Sequence, residues 1–220
     1  MDTSVLHKGE RLEKVFLNEP SLDLHLIQEA GSLVRIYVIN FDISRSRDLE
    51  VSNRIFIEQA GEGCETEIYA LAYLKGDEKV TTETHVTHAV GGGSSNQLIK
   101  FVLDDKSQGR FLGELKIAQD AQKTEAHQTN RNLLLSEEAE MRTQPQLEIY
   151  ADDVQATHGA STGQLDEAAL FYMQQRGIGK QKARQLLVNA FMKEVLDKIP
   201  ESLIPDSLRP LLDSIDGVVQ

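Results

Sequence analysis

The stretch "YADDVQATHGAS", residues 150–161, places two adjacent carboxylates, Asp152 and Asp153, shortly before His158. Groups of these types serve as general acids and bases and as metal ligands, and they also line the polar edges of sheets. The chain holds few rivals to this stretch. Its single cysteine, Cys64, can by itself hold neither a zinc ion nor an iron–sulfur cluster, and it reads as a small strand residue without a chemical role. "ETHVTHAVGGG" (83–93) carries His85 and His88 in an H-x-x-H spacing that would chelate a metal on a helix. Its Thr- and Val-rich setting favours a strand, where positions three apart point to opposite faces, so the pair is a poor chelate. Gly91 to Gly93 lack the lysine and the helix start of a phosphate loop.

Read as one short strand, the opening stretch obeys the same alternation. Tyr150, Asp152, Val154, Ala156 and His158 fall on one face, and Ile149, Ala151, Asp153, Gln155 and Thr157 on the other. Asp152 and Asp153 then diverge, and Asp152 and His158 sit about 20 Å apart along the strand. No catalytic constellation closes within the chain. His158 remains a candidate metal ligand in a site completed by another subunit. The competing reading is a carbohydrate-active β-helix enzyme that uses Asp152 and Asp153 as its carboxylates. That chemistry wants convergent acids and aromatic sugar platforms, whereas Trp is absent and aromatics make up 5% of the chain.

The elements that must position these groups come in two textures. Before Ser161 the chain is a series of β-rich runs broken by polar turns: 33–43, 53–61, 65–74, 97–103 and 111–118. "LIQEAGSLVRIYVI" (26–39) is echoed by "FIEQAGEGCETEIYAL" (56–71), with Gly31 and Gly61 in matching places, and "IAQDAQKTEAHQTN" (117–130) is a degraded third copy. A repeat of this length built from strands predicts a solenoid whose coils stack into a continuous core. Polar runs such as "HQTNRNLLLS" (127–136) suit stacked coils, because Asn and Thr can hydrogen-bond from rung to rung. A sandwich with irregular hairpins is the alternative. After Ser161 the pattern is helical. "LDEAALFYMQQRG" (165–177) opens on acids and closes on Gly177 as a C′ residue. "KQKARQLLVNAFMKEVLDKI" (180–199) lines Ala183, Leu186, Leu187, Ala190, Phe191 and Val195 along one face before Pro200 stops it, and 205–215 forms a short last helix. The expected architecture is mainly β: a parallel β-helix core over 1–161, followed by a small α-helical domain over 162–220.

Composition narrows the function. A net charge of −12 and 40% hydrophobic residues describe a globular acidic chain, and acidity disfavours nucleic acid and anionic membranes. No apolar run approaches the length of a membrane span, and the N-terminus lacks a signal-peptide core, so the cytoplasm is the expected compartment. Within this acidic chain "QQRGIGKQKAR" (174–184) is locally cationic, through Arg176, Lys180, Lys182 and Arg184. A reversal of sign of this kind suits a partner surface.

The motifs E-I-Y-A-D-D-V, H-G-A, G-Q-L-D-E-A-A-L-F-Y and R-G-I, with "HQTNRNLLLSEEAEMRTQP" (127–145) before them, resemble the SufB/SufD family of iron–sulfur cluster assembly scaffolds, in particular its SufD members. The close resemblance covers roughly residues 120–195. It implies a parallel β-helix and a non-enzymatic role. It also implies pairing with a SufB-like subunit, or with a second copy of the chain, through strands that include Tyr150, Asp152 and Val154. The C-terminal helices would dock a SufC-like ABC ATPase, and the connector residues Arg176, Gly177, Ile178, Lys180, Lys182 and Arg184 would take part. The isolated chain would hold no cofactor, and an iron–sulfur cluster would be shared with SufB in the complex. His158 matches the family histidine associated with that cluster. Family members commonly place a cysteine two residues earlier, where this chain has Ala156. They are also longer and begin with a helical region, so the expectation is a shortened chain that lacks several N-terminal rungs.

Overall fold

A computed structural model describes residues 3–43 and 50–216. The described strands are β1 (Thr3–Leu6), β2 (Arg11–Leu17), β3 (Ser21–Gln28), β4 (Leu33–Phe41), β5 (Glu50–Gln59) and β6 (Glu65–Leu74), then β7 (Lys79–His88), β8 (Ser94–Leu103), β9 (Gln108–Ile117), β10 (Thr124–Leu134), β11 (Glu140–Ile149) and β12 (Val154–Gly163). Helices α1 (Glu167–Gln175), α2 (Lys180–Leu196) and α3 (Arg209–Asp216) follow. Odd-numbered strands form one six-stranded sheet and even-numbered strands the other. All pairings are parallel, so each coil gives one strand to each sheet and the chain winds as the expected β-solenoid.

Stacking is in register. Leu33, Glu65, Ser94 and Glu125 occupy the same place on successive coils, a repeat of about thirty residues of the kind solenoids use. The first coil is shorter, since Arg11 already pairs with Leu33. The internal echo in the sequence is this repeat. Gly31 adopts a left-handed corner and donates its N–H to the Glu62 carbonyl at 2.9 Å. At Gly61 a methyl group would overlap the Ala30 backbone, so glycine is needed where two corners meet.

The two sheets carry different burial patterns for one reason. Strands β5, β7 and β9 alternate buried and half-exposed residues, as a sheet with one packed face should. Strands β4, β6 and β8 are buried almost continuously, because α2 covers their outer face. The lumen core includes Ile36, Ile55, Ile68, Phe101 and Phe111; a second core, between the even sheet and the helices, joins Tyr37, Leu71 and Val102 to Val188, Met192 and Val195. The buried stripe of α2 is therefore rotated from the one the periodicity predicts, and Ala190 is exposed. Apolar residues surround this helix almost completely, so spacing alone leaves its rotation open. An ion pair with one buried member joins this helix to the even sheet.

That pair is Lys100, which points outward from β8 yet is 1% exposed. Its ammonium donates to the Glu194 carboxylate and to the Phe191 carbonyl at 2.8 Å, and lies 4.0 Å from the centre of the Phe191 ring. Arg131, one rung along, reaches the same carboxylate at 3.2 Å. Burial pulls Lys100 below the usual lysine range, with Glu194 opposing the shift. The Lys100 hydrogen bond is the main cause that holds Glu194 below the usual carboxylate range.

The lumen also carries polar ladders. Gln28, Gln59 and His88 stack on successive coils. Gln28 accepts from Thr66 at 2.5 Å, Gln59 donates to Thr66 at 2.8 Å, and His88 Nε2 pairs with Ser95 Oγ at 2.8 Å. On β10 the inward residues Gln128, Asn130 and Asn132 are all buried. Asn132 bonds Asn130 within its strand and Thr162 on the next rung, which realises the rung-to-rung bonding expected of this run.

Burial lowers the His88 imidazole to about 4, and its Nδ1 has no partner among the described residues. Because the folded value lies below the unfolded one, the stability from keeping His88 neutral is full above about pH 6.5 and is lost as pH falls toward 4. Urea melts at pH 7 and pH 4.5 will show this loss, on the order of 3 kcal/mol, and His88→Gln, which extends the glutamine ladder, will remove that share of it. Across the α2 seam, Lys100→Met will keep or raise the melting temperature, whereas Glu194→Ala will lower stability by about 1–3 kcal/mol, since it strands a buried ammonium beside a half-exposed site. Thermal melts of the two variants will check this.

Candidate functional site at the open end of the solenoid

The residues singled out in 150–158 do not share one strand. β11 ends at Ile149 and β12 begins at Val154, so 150–153 is the corner that carries the chain from one sheet to the other. This corrects the single-strand reading. The solenoid must change sheets twice per coil, and the corner below guides this one: Lys123 N donates to the Asp153 carbonyl at 2.6 Å, and Asp153 N donates to the Gln122 side chain at 2.9 Å. Adjacent aspartates suit such a bend. Asp152 and Asp153 are both exposed there, and Ala151 turns inward. Tyr150 is 59% exposed, with its hydroxyl 3.4 Å from Glu148.

On β12, Val154 and Ala156 pack against the lumen core. His158 pairs in register with Gln128, whose side chain fills the lumen, so the imidazole lies on the inward side of the last rung. It is exposed all the same, because no described coil stacks beyond it. It has no hydrogen-bond or ion-pair partner among the described residues. Outward, Thr157 bonds His127 at 2.8 Å. β12 is therefore a parallel strand bonded along one edge only, exposed on its outer face and, from His158 onward, on its inner face as well. The structure brings Tyr150, Asp152, Val154 and His158 to one end of the solenoid, but not onto one face. Among the described residues no three His, Cys, Asp or Glu side chains converge closely enough to hold a metal ion. On the inward face of β12, His158 is the one His, Cys, Asp or Glu side chain.

The other histidines occupy opposite sides of β7, as alternation requires. His88 faces the lumen, whereas His85 faces outward, stacked on Phe56 and bonded to Glu83 at 2.7 Å. Cys64 is fully buried in a corner, where its thiol meets the Gly61 and Glu29 carbonyls at 3.1 and 3.2 Å.

The cationic connector divides in two. After α1 the chain closes with Gly177 at φ +84, and Ile178 N bonds the Met173 carbonyl, the helix stop expected from R-G-I. Arg176 lies over the Tyr172 ring and bonds its hydroxyl at 3.0 Å. Lys180 and Lys182 face solvent. Arg184 turns back to its own solenoid, donating to the Leu135 carbonyl at 2.6 Å and lying 3.7 Å from Asp104. Sequence reasoning missed Phe171 and Tyr172, which are 63% and 60% exposed on α1, where Leu170 alone is buried. The signal was present: "AALFYM" (168–173) is an apolar run too wide for one face of a helix. No described helix is long and apolar enough to cross a membrane.

Comparison with known proteins follows the same geography. The family model described as SUF system FeS cluster assembly, SufBD core domain, matches residues 24–191, which takes in the solenoid from β3 onward and most of α2. An iron–sulfur cluster assembly SufBD family protein of Synechocystis is 37% identical over 84% of this chain and 40% of its own length. The iron–sulfur cluster assembly protein SufD of Escherichia coli is 41% identical over 63% of this chain and 33% of its own, and that of Bacillus subtilis 33% identical over 64% and 32%. The chain thus spans a third to two fifths of the length of these relatives. A match over well more than half of the chain places it in the SufB/SufD core family of the SUF iron–sulfur cluster assembly system.

Proposed function

We propose that the chain is a SufD-like scaffold subunit of iron–sulfur cluster assembly in the cytoplasm, without catalytic activity of its own. In this reading β11 and β12 pair with a SufB-like subunit, and the helices offer a seat to a SufC-like ABC ATPase. The observation that carries the proposal is the state of β12. Parallel strands are ordinarily covered on both faces, and this one is bonded along one edge with both faces open over most of its length. A second solenoid meeting that end would supply the missing cover and would bring its own groups to His158.

The nascent cluster is cargo here. Ala156 has no thiolate to give, so His158 would be the donor on that face of β12, and the partner would provide the cysteine sulfurs that iron prefers. Support for an ATPase seat comes from α1, whose Phe171 and Tyr172 rings lie open beside the cations Arg176, Lys180 and Lys182. Aromatic and arginine side chains of this kind anchor protein interfaces. Arg184 and the Lys100–Glu194 pair would hold the seat to the solenoid.

Co-expression with the SufB-type and SufC-type proteins of the same genome, followed by size-exclusion chromatography with light scattering, tests the reading. The expected result is a complex with both partners. Phe171→Ala with Tyr172→Ala will release the ATPase and keep the SufB-type subunit, and Ala160→Arg on β12 will do the reverse. A folded chain that binds neither, or that forms only its own dimer in their presence, would overturn the proposal. His158→Ala will leave stability within about 0.5 kcal/mol of the parent in urea melts, because the side chain is exposed and unpartnered, while lowering the iron and sulfide retained by the purified complex.

A further inference from the structure

The odd-numbered sheet leaves its outer face without a helix, and several arginines of the two sheets are neutralised closely. Arg54 bonds Asp23 at 2.9 Å, and His85 sits between Glu83 and Glu114. On the even sheet Arg35 lies between Glu13 at 2.6 Å and Glu67 at 2.5 Å, and Arg131 meets Glu194. Two arginines on the odd sheet depart from this. Arg110 on β9 and Arg142 on β11 are register partners, so two guanidinium groups stack on neighbouring strands, with Thr81 of β7 next in the column. Arg110 makes no hydrogen bond or ion pair with any described residue, and Arg142 reaches only Glu140, at 3.7 Å. Lys79, on the adjoining column, is likewise unpaired among the described residues.

Like charges side by side on adjacent strands repel and weaken a sheet. In a chain of net charge −12, acids are abundant, yet Arg110 has none and Arg142 only a long, exposed contact to Glu140, so the paired guanidinium groups keep an excess of positive charge for a counter-charge from outside. The side chains are not spread over a flat surface. Lys79, Thr81, Gln108, Arg110 and Arg142 line a groove of about 220 Å³, with Glu50 and Glu140 at the two ends of its second column. We propose that this groove binds a phosphate group. Strands about 4.8 Å apart set two guanidinium forks on either side of one tetrahedral oxyanion, and the fork geometry matches its oxygens. Thr81 and Gln108 add neutral donors, and Lys79 a third positive charge. The volume is below the roughly 300–1,000 Å³ of pockets that enclose a whole organic ligand, so the groove takes the phosphate and leaves any carrier outside. The terminal glutamates would oppose a larger polyanion.

Isothermal titration of the full chain at low ionic strength, first with inorganic phosphate and then with AMP, tests the site. Saturable one-to-one binding that weakens about tenfold or more in Arg110→Gln and in Arg142→Gln is expected, as the loss of a charge-assisted hydrogen bond implies. Arg110→Lys will lose part of the affinity, because it keeps the charge without the fork. Arg54→Gln, on the same face but paired with Asp23, will bind as the parent does. Equal affinities for phosphate and AMP would identify a free phosphate as sufficient ligand, and tighter AMP binding would point to a nucleotide source; both keep the site. No saturable phosphate binding, or binding unchanged in Arg110→Gln and Arg142→Gln with circular dichroism intact, would overturn it. The outcome is independent of whether SufB- or SufC-type proteins bind.

Discussion

Everything in this chain hangs on the in-register stacking of one coil on the next. A single coil buries too little to stand alone; it is stable because its neighbours complete the ladder of backbone bonds and close the lumen above and below. That constraint selects residues column by column. Gln28, Gln59 and His88 succeed one another because each bonds a hydroxyl across the corner toward the even sheet, Ser32, Thr66 and Ser95 in turn, and Ile36 and Ile68 because each must fill the same space. It also fixes where the described stack is open: at its two end rungs, where β1 and β2, and β11 and β12, each lack a neighbour on one side.

Columns explain what the sequence disclosed. The repeat was legible in the echo of 26–39 at 56–71, because the corner glycines and the apolar strand after them recur at the same positions. The copy at 86–98 went unseen. There the corner is Gly91–Gly93 and the strand carries Ser95, Gln97 and Lys100, so the coil is conserved in shape while its apolar signature is broken by lumen amides and by the buried cation. Helix α1 was read correctly from its cap and stop, since Asp166 and Gly177 act through local backbone geometry. The rotation of α2 was not legible, because its packing partners, Tyr37, Leu71, Lys100 and Val102, lie on distant strands.

The candidate site divides along the same line. His158 was legible as a lone donor, and its exposure follows from being last in its column. That Tyr150 and Asp152 lie in a corner was hidden, because residues that turn between sheets can show the same alternation as a strand, and the bonds that hold this turn come from Gln122 and Lys123, far away in the sequence. Phe171 and Tyr172 were passed over because an apolar helix face is ordinarily core, and only the packed structure shows which side of α1 is left bare.

One consequence of the helix seat is mechanical. Helix α2 lies across the even sheet and is fastened to it by Lys100 and Arg131 at one point and by Arg184 at another, whereas the odd sheet carries no such strap. The stack is therefore a laminate with one stiffened side. Coils on the strapped side resist sliding past one another, and those on the bare side are restrained only by their own ladders, so bending concentrates there.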